Sequence, residues 1–185
     1  MFFIEFYLLG INFLFMKGVI LMKQQLIKTT DLCDEFSEQL QICSLQWKSF
    51  GGNSFFHGPI YTVDVLNDNT HVRSSLEEIP AGAVLVVDGR NSDRCALLGD
   101  NLAMIAQNRG IVGIIVNGRV RDSRDLQSIS VGVFALGTHP KKSLKQGKGQ
   151  KNITLQFGNV DWIPGDYVYA DEDGIVVAKK PLHVE

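Results

Sequence analysis

The chain of 185 residues carries no surplus of one charge: 18 Lys and Arg stand against 20 Asp and Glu, a formal net charge of −2. Binding to a nucleic-acid backbone draws on clustered cations and counterion release. The balance argues against that class and leaves a small anionic ligand open. Cysteine is scarce. Cys33, Cys43 and Cys95 are odd in number, widely spaced and in no C-x-x-C pair, so neither a disulfide framework nor a zinc knuckle follows, and a reducing cytoplasm is the expected compartment. His57, His71, His139 and His183 form no H-x-H or H-E-x-x-H pattern and read as structural or solvent-exposed. There is no G-x-S-x-G, no Cys/His pairing that sequence supports, and no RNA-recognition or cold-shock signature. Internal repeats and interdomain linkers are lacking too.

What is present fits one soluble globular domain. The composition is 45% hydrophobic and 21% charged, and a chain of this length buries a full core. Its most apolar stretch is MFFIEFYLLGINFLFMKGVIL at residues 1–21. Glu5 precedes the apolar core of that stretch, Lys17 follows it and no A-x-A site appears, against the pattern of a signal peptide. Glu5, Asn12 and Lys17 also interrupt it as a spanning helix. The preferred reading starts the domain at Met22, with residues 1–21 an apolar extension outside the fold, residues 22–185 the domain, and no membrane partner.

From Met22 onward, Thr29-Thr30-Asp31 offers an N-cap to a short amphipathic helix with Leu32, Phe36 and Leu40 on one face. FFHGPIYTVDVL alternates as a strand interrupted at its start by Pro59, and residues 71–79 make a short helix. AVLVVDG and IVGIIVNG are continuous apolar runs of the kind buried on both faces. Between them GDNLAMIAQNR reads as a helix, with Asp100 or Asn101 near its N-cap and Gly110 at C′. A polar segment, RVRDSRDLQSI, holds a helical turn before the strand VGVFALG. The last third holds a Lys/Gly-rich loop and short strands joined by turns, which predicts antiparallel hairpins. The fold class is α/β, a single domain of mixed sheets with flanking helices.

Three polar places fall at element ends. Gly99-Asp100-Asn101-Leu102 enters a helix whose N–H groups and positive dipole end suit a carboxylate or phosphate; the alternative is a capping loop. Arg121-Asp122-Ser123-Arg124-Asp125 lies just beyond the strand IVGIIVNG, where substrates bind in α/β sheets. An Arg fork grips a carboxylate in two parallel bonds and an Asp holds a hard cation through oxygen, which together suit an α-keto acid. Shared action by neighbours needs a backbone bend, which Asn117-Gly118 permits; the alternative is a surface network of ion pairs. The run 141–151 holds five lysines in 11 residues. It reads either as an anion-covering lid or RNA contact, or, the favoured reading, as a solvated loop.

GDNLAMIAQNRGIVGIIVNGRVRDSRDLQSISVGVFALGTHPKKSLKQGKGQ followed by PGDYVYADEDGIVVA resembles the family that contains the regulator of ribonuclease E activity A and the 4-hydroxy-4-methyl-2-oxoglutarate aldolases. The most diagnostic piece is an Asp, twenty residues, Arg-Asp, two residues and an acid, met here by Asp100, Arg121, Asp122 and Asp125. The resemblance spans residues 23–182. It implies a homotrimer of swivelling β/β/α domains with a magnesium or manganese ion (Mg2+ or Mn2+) in each intersubunit site. It further implies that Arg121 binds the pyruvoyl part of a small 2-oxo acid, that Asp122 anchors the metal, that Gly99, Asp100, Asn101 and Leu102 present N–H groups to substrate, and that Asp100 lies near metal-bound water. The implied activity is retro-aldol cleavage of 4-hydroxy-4-methyl-2-oxoglutarate to two pyruvates, with oxaloacetate decarboxylation through a shared pyruvate enolate. The alternative is a regulator that binds and inhibits ribonuclease E by protein contact, without direct nucleic-acid binding. The full Asp100/Arg121-Asp122/Asp125 pattern favours the enzyme. The ending at Glu185, short of the acid-bearing tail of the aldolases, and the motif around Phe50-Gly51-Gly52 favour the regulator.

Overall fold

The computed structural model describes residues 5–8, 11–16, 19–24 and 26–182. The apolar N-terminal stretch forms three strands, β1 (Glu5–Leu8), β2 (Ile11–Met16) and β3 (Val19–Gln24). They pair antiparallel in the order β1-β2-β3 as a sheet of their own, and Met22 lies inside β3. The remaining elements, in chain order, are α1 (Thr29–Phe36), β4 (Leu40–Ile42), β5 (Lys48–Ser49), β6 (Phe56–Asp64), α2 (Thr70–Glu78), β7 (Val84–Asp88), β8 (Ala96–Leu98), α3 (Asp100–Asn108), β9 (Gly113–Val120), α4 (Ser123–Leu126), β10 (Gly132–Thr138), β11 (Gln150–Lys151), β12 (Leu155–Phe157), β13 (Val160–Trp162), β14 (Tyr167–Ala170) and β15 (Ile175–Ala178).

One mixed sheet of ten strands organises the chain, in the order β4-β15-β14-β6-β7-β9-β10-β5, with β11 paired to β6 and β8 to β9. Its centre, β6-β7-β9-β10, is parallel. The flanking pairs are antiparallel. The two continuous apolar runs are central strands for the expected reason: both of their faces are covered. Leu85 and Val87 of β7 and Ile114 and Val116 of β9 pack with Val72 and Leu76 of α2, Leu102, Ala103 and Ala106 of α3, and Leu126 of α4. The alternate residues Val84, Val86 and Ile115 face the other way, into a core shared with Leu155, Val160 and Trp162 of the antiparallel hairpin β12-β13. The period of two thus sorts each strand between a helical layer and a β layer.

Two expectations change at the N-terminal side. Thr29-Thr30-Asp31 does not cap α1; Lys28 holds that position without a side-chain bond. Thr29 is the first helical residue, and its N–H and hydroxyl both donate to the buried Asp171 carboxylate at 2.7 Å. The helix also ends at Phe36, a 3-10 turn follows over Ser37–Gln39, and Leu40 belongs to β4 instead. Leu32 packs on Tyr169 and Val176 in a small third cluster.

Pro59 does not interrupt β6, which runs through it. Pro59 sits opposite Tyr167, at the last pair with β14, and the pairing with β7 begins at Ile60. A residue without an N–H is tolerated at that handover because no ladder bond is lost. At the start of β6 the Phe56 ring covers the paired glycines Gly113 and Gly132, where an added Cβ would come within 2.1 and 2.0 Å of it. Close backbone approach fixes glycine at both, and the ring completes its packing edge-on to Phe134.

Candidate active site

Strands β8 and β9 run parallel with Leu98 in register with Val120, so the residues after each leave the sheet side by side. Gly99 and Asp100 follow β8, and Arg121 and Asp122 follow β9. The Arg121 N–H donates to the Leu98 carbonyl at 2.9 Å and ties the two exits together. Positions 22 residues apart in sequence thereby become neighbours. The bend that lets Arg121 and Asp122 act together is not at Asn117-Gly118, which lies within β9. It is at Asp122 itself, whose backbone is left-handed with φ 55° and ψ 39°. A non-glycine residue held there stores strain of a kind concentrated at functional sites.

Asp122 Oδ2 lies 3.1 Å from Arg121 Nε as an ion pair. The same oxygen is buried and accepts no hydrogen bond. It rests against Gly99, where an added Cβ would fall 2.6 Å from Asp122 Oδ2 and 3.1 Å from Arg121 Cγ. Gly99 is the N-cap of α3 in extended conformation, and its carbonyl accepts from the N–H groups of Leu102 and Ala103 at 3.1 Å. Asp100 Oδ1 accepts from the N–H and the side-chain amide of Asn101, at 2.6 and 2.9 Å. Asp125, the last member of the sequence pattern, is exposed on α4 and, like Asp122, is not among the residues lining the cavity that Asp100 and Arg121 share.

A cavity of about 190 Å³ opens at this junction, lined by Gly99, Asp100, Asn101, Leu102 and Arg121 together with Asn69, Arg73, Ala96, Leu98, Lys142, Ser143 and Lys145. The first five are residues expected from the sequence, whereas Asp122, expected there as the metal holder, lies behind Gly99 and Arg121 and is absent from the lining. Arg73 of α2 gave no signal, and Lys142 and Lys145 belong to the run read chiefly as a solvated loop. Their side chains are exposed, but the backbone is fastened. Ala96 N–H donates to the Lys141 carbonyl and Leu144 N–H to the Asn67 carbonyl, each at 2.8 Å, and Gly147 N–H donates to Thr70 Oγ1 at 3.3 Å. The run is a strap across the start of α2. Four cationic side chains and one carboxylate give the cavity a net positive lining, which suits a small anion.

Buried Asp68 helps hold the strap. Burial pushes its carboxyl up, but hydrogen bonds from the Thr70 N–H and hydroxyl and from the Gln146 and Lys148 N–H groups outweigh this and hold it down at about 2. A folded pKa below the unfolded value makes a stabilising contribution that is complete above about pH 4 and fades as pH falls toward 2. The melting-temperature gap between wild type and Asp68→Asn is expected to shrink over that interval; a gap independent of pH would remove this role.

Among the described residues no three His, Cys, Asp or Glu side chains gather as a metal cluster. A magnesium-type ion needs fewer: it keeps several waters and takes one or two protein carboxylates plus substrate oxygens. The hydrogen-bond-orphaned Asp122 Oδ2 fits that requirement. The histidines play other parts: His57 packs with Tyr167 and Tyr169, while His71 and His139 meet backbone groups of Gly147 and Lys141. His183 lies outside the described residues. Cys33, Cys43 and Cys95 are free thiols. No helix among the described residues is long and apolar enough to cross a membrane.

Residues 29–177 match the RraA-like family, described as Aldolase/RraA. A Bacillus cereus protein named "Putative 4-hydroxy-4-methyl-2-oxoglutarate aldolase" is 58% identical over 156 residues, 84% of this chain and 98% of the relative. Among solved structures, the RNA-processing inhibitor RraA from Thermus thermophilis is 43% identical with a TM-score of 0.82, over 86% of this chain and 96% of that one. A Geobacillus kaustophilus structure named for an S-adenosylmethionine:2-dimethylmenaquinone methyltransferase is 55% identical with a TM-score of 0.84, over 84% and 97%.

Proposed function

The chain belongs to the RraA-like family of aldolase and RraA proteins, and from that premise we propose that it is a divalent-metal-dependent C–C lyase. Its reactions are cleavage of 4-hydroxy-4-methyl-2-oxoglutarate to two pyruvates and decarboxylation of oxaloacetate. The observation that carries this is the junction of Gly99, Arg121 and Asp122, where a guanidinium and a buried carboxylate oxygen without a hydrogen bond meet beside a small cationic cavity.

Arg121 supplies a planar fork for the carboxylate and 2-oxo oxygens of the substrate and holds the 2-oxo acid in one orientation. Its positive charge also favours the negative charge that grows on the 2-oxo oxygen as the C–C bond breaks. Asp122 is the residue that holds the divalent cation, magnesium or manganese, and that ion when bound supplies Lewis-acid stabilisation of the same charge. Asp100, at the head of α3, orders the Asn101 N–H beside the cavity and stands where a water proton can be held. Gly99 keeps the space between the two exits clear.

The cavity's size and sign also weigh against the methyl-transfer chemistry in the name of the Geobacillus structure. Pockets for drug-sized ligands run to about 300–1,000 Å³, whereas this one is about 190 Å³. Its cations would repel a sulfonium and attract a small carboxylate.

The test is pyruvate release from oxaloacetate and from 4-hydroxy-4-methyl-2-oxoglutarate, with and without magnesium or manganese. Turnover above the metal-only background, abolished by a chelator, is expected; no such turnover on either substrate would end the lyase reading. The likeness to the Thermus RNA-processing inhibitor favours a second reading, a regulator that binds ribonuclease E. That reading requires slowed ribonuclease E cleavage at micromolar protein, and unchanged cleavage speaks against it.

A further inference from the structure

The strap bearing Lys142 and Lys145 is fastened from beneath by one carboxylate whose two oxygens serve different elements. Asp68 is 2% exposed. Its Oδ1 accepts from the Thr70 N–H at 2.8 Å, at the first residue of α2, which also carries Arg73. Its Oδ2 accepts from the N–H groups of Gln146 at 2.5 Å and Lys148 at 3.5 Å, within the strap. The backbone bond from Leu144 N–H to Asn67 lies beside it, and Asn69, which lines the cavity, donates its Nδ2 to the Leu97 carbonyl at 3.2 Å. Asp68 therefore joins the two elements that bring Arg73, Lys142 and Lys145 to one cavity.

Lys151 is paired with Glu78 and Lys179 with Asp166, and Arg73 shares an exposed pair with Glu77. Among the described residues no carboxylate lies within ion-pair distance of Lys142 or Lys145. Two long, mobile cationic side chains aimed at a cavity already served by Arg121 suit a ligand with a second negative group.

We propose that Asp68 is a positioning residue for the strap, and that the wall it holds, Arg73, Lys142 and Lys145, receives the second carboxylate of a dianionic 2-oxo acid whose first carboxylate lies at Arg121. The proposal rests on the 2-oxo acid reading of the site and adds the specificity determinant that separates dicarboxylates from monocarboxylates. Asparagine at position 68 still offers one oxygen to Thr70 but replaces the acceptor of Gln146 and Lys148 with a donor. Asp68→Asn therefore frees the strap while leaving the start of α2 bonded.

The experiment is calorimetric binding, with magnesium present, of 2-oxoglutarate and 2-oxovalerate, five-carbon acids that differ by the terminal carboxylate. Wild type is expected to prefer 2-oxoglutarate by about tenfold, the reach of two exposed ion pairs. Asp68→Asn and the double variant Lys142→Gln/Lys145→Gln each lose that preference and keep 2-oxovalerate affinity within about twofold. Lys141→Gln, a charge removed from the same strap outside the cavity lining, changes neither ligand. Equal affinity in wild type overturns the proposal, as does parallel weakening of both ligands in the lysine variant. If Asp68→Asn lowers the melting temperature and both affinities together, its effect is structural and the positioning role is overturned. Absence of turnover with ligand discrimination intact strikes the lyase reading and leaves the role of the strap standing.

Discussion

Asp122→Asn is expected to lower metal-dependent pyruvate release by on the order of a hundredfold or more, with the melting temperature nearly unchanged. Asparagine is the informative replacement because position 122 has a φ of 55°, and asparagine tolerates left-handed backbone better than alanine does. The bend that follows β9 is thereby kept, as is the bond from Leu126 N–H to the carbonyl of residue 122. What is lost is the anionic Oδ2 that faces Gly99 and pairs with Arg121 at 3.1 Å. The variant should also need more magnesium for half-maximal residual rate, which a loss of substrate binding alone would not produce. Turnover within threefold of wild type at ordinary magnesium would remove Asp122 as the metal-holding residue. Arg121→Lys, tested beside it, keeps the charge and loses the planar fork, so its defect is expected chiefly in KM for the 2-oxo acid.

The parts of this fold that sequence discloses are those whose burial is written locally. The runs that became β7 and β9 are apolar at successive positions because helices cover one face and a hairpin the other. Helix α3 announces itself by its apolar Leu102, Ala103 and Ala106 and by Gly110, which adopts φ 72° beyond its end. Strand β8 is different. Three residues show no periodicity, and Ala96–Leu98 is a strand because β9 lies beside it. The site divides along the same line. Residues at the ends of strong elements, Gly99 to Leu102, Arg121 and Asp122, were legible. The strap was not, since its lysine-rich composition is that of a solvated loop and its order depends on Asp68, 78 residues before Gln146. The left-handed turn at Asp122 was hidden behind a stronger signal upstream: an Asn-Gly pair signals a bend, and here Asn117 and Gly118 do fall at a register shift of β9 against β10, yet the strand runs on to Val120. Buried Asn117 gives its side-chain amide to Asp88 at 2.7 Å. Asp125 shows the converse, a spacing that matches the family pattern while the α4 turn carries the side chain out to solvent.

Gly99→Ala is the second change with a large expected effect, and it separates the role of space from the role of charge. The backbone at Gly99, φ −146° and ψ −173°, is open to any residue, so alanine brings no strain there and α3 should keep its start. Its methyl group, however, falls 2.6 Å from Asp122 Oδ2, 3.1 Å from Arg121 Cγ and 3.2 Å from Arg121 Nε. Overlap of that size is relieved by rotating the Asp122 carboxylate and shifting the guanidinium, the two groups the reaction needs in fixed positions. Turnover is expected to fall by about a hundredfold with the melting temperature little changed. If alanine acts by displacing Asp122, its effect must not add to the loss of that carboxylate. The double variant Gly99→Ala/Asp122→Asn should then be no slower than Asp122→Asn within a factor of about three. Full multiplication of the two defects would show instead that Gly99 acts independently, through the head of α3, and that the close contact with Asp122 has no part in catalysis.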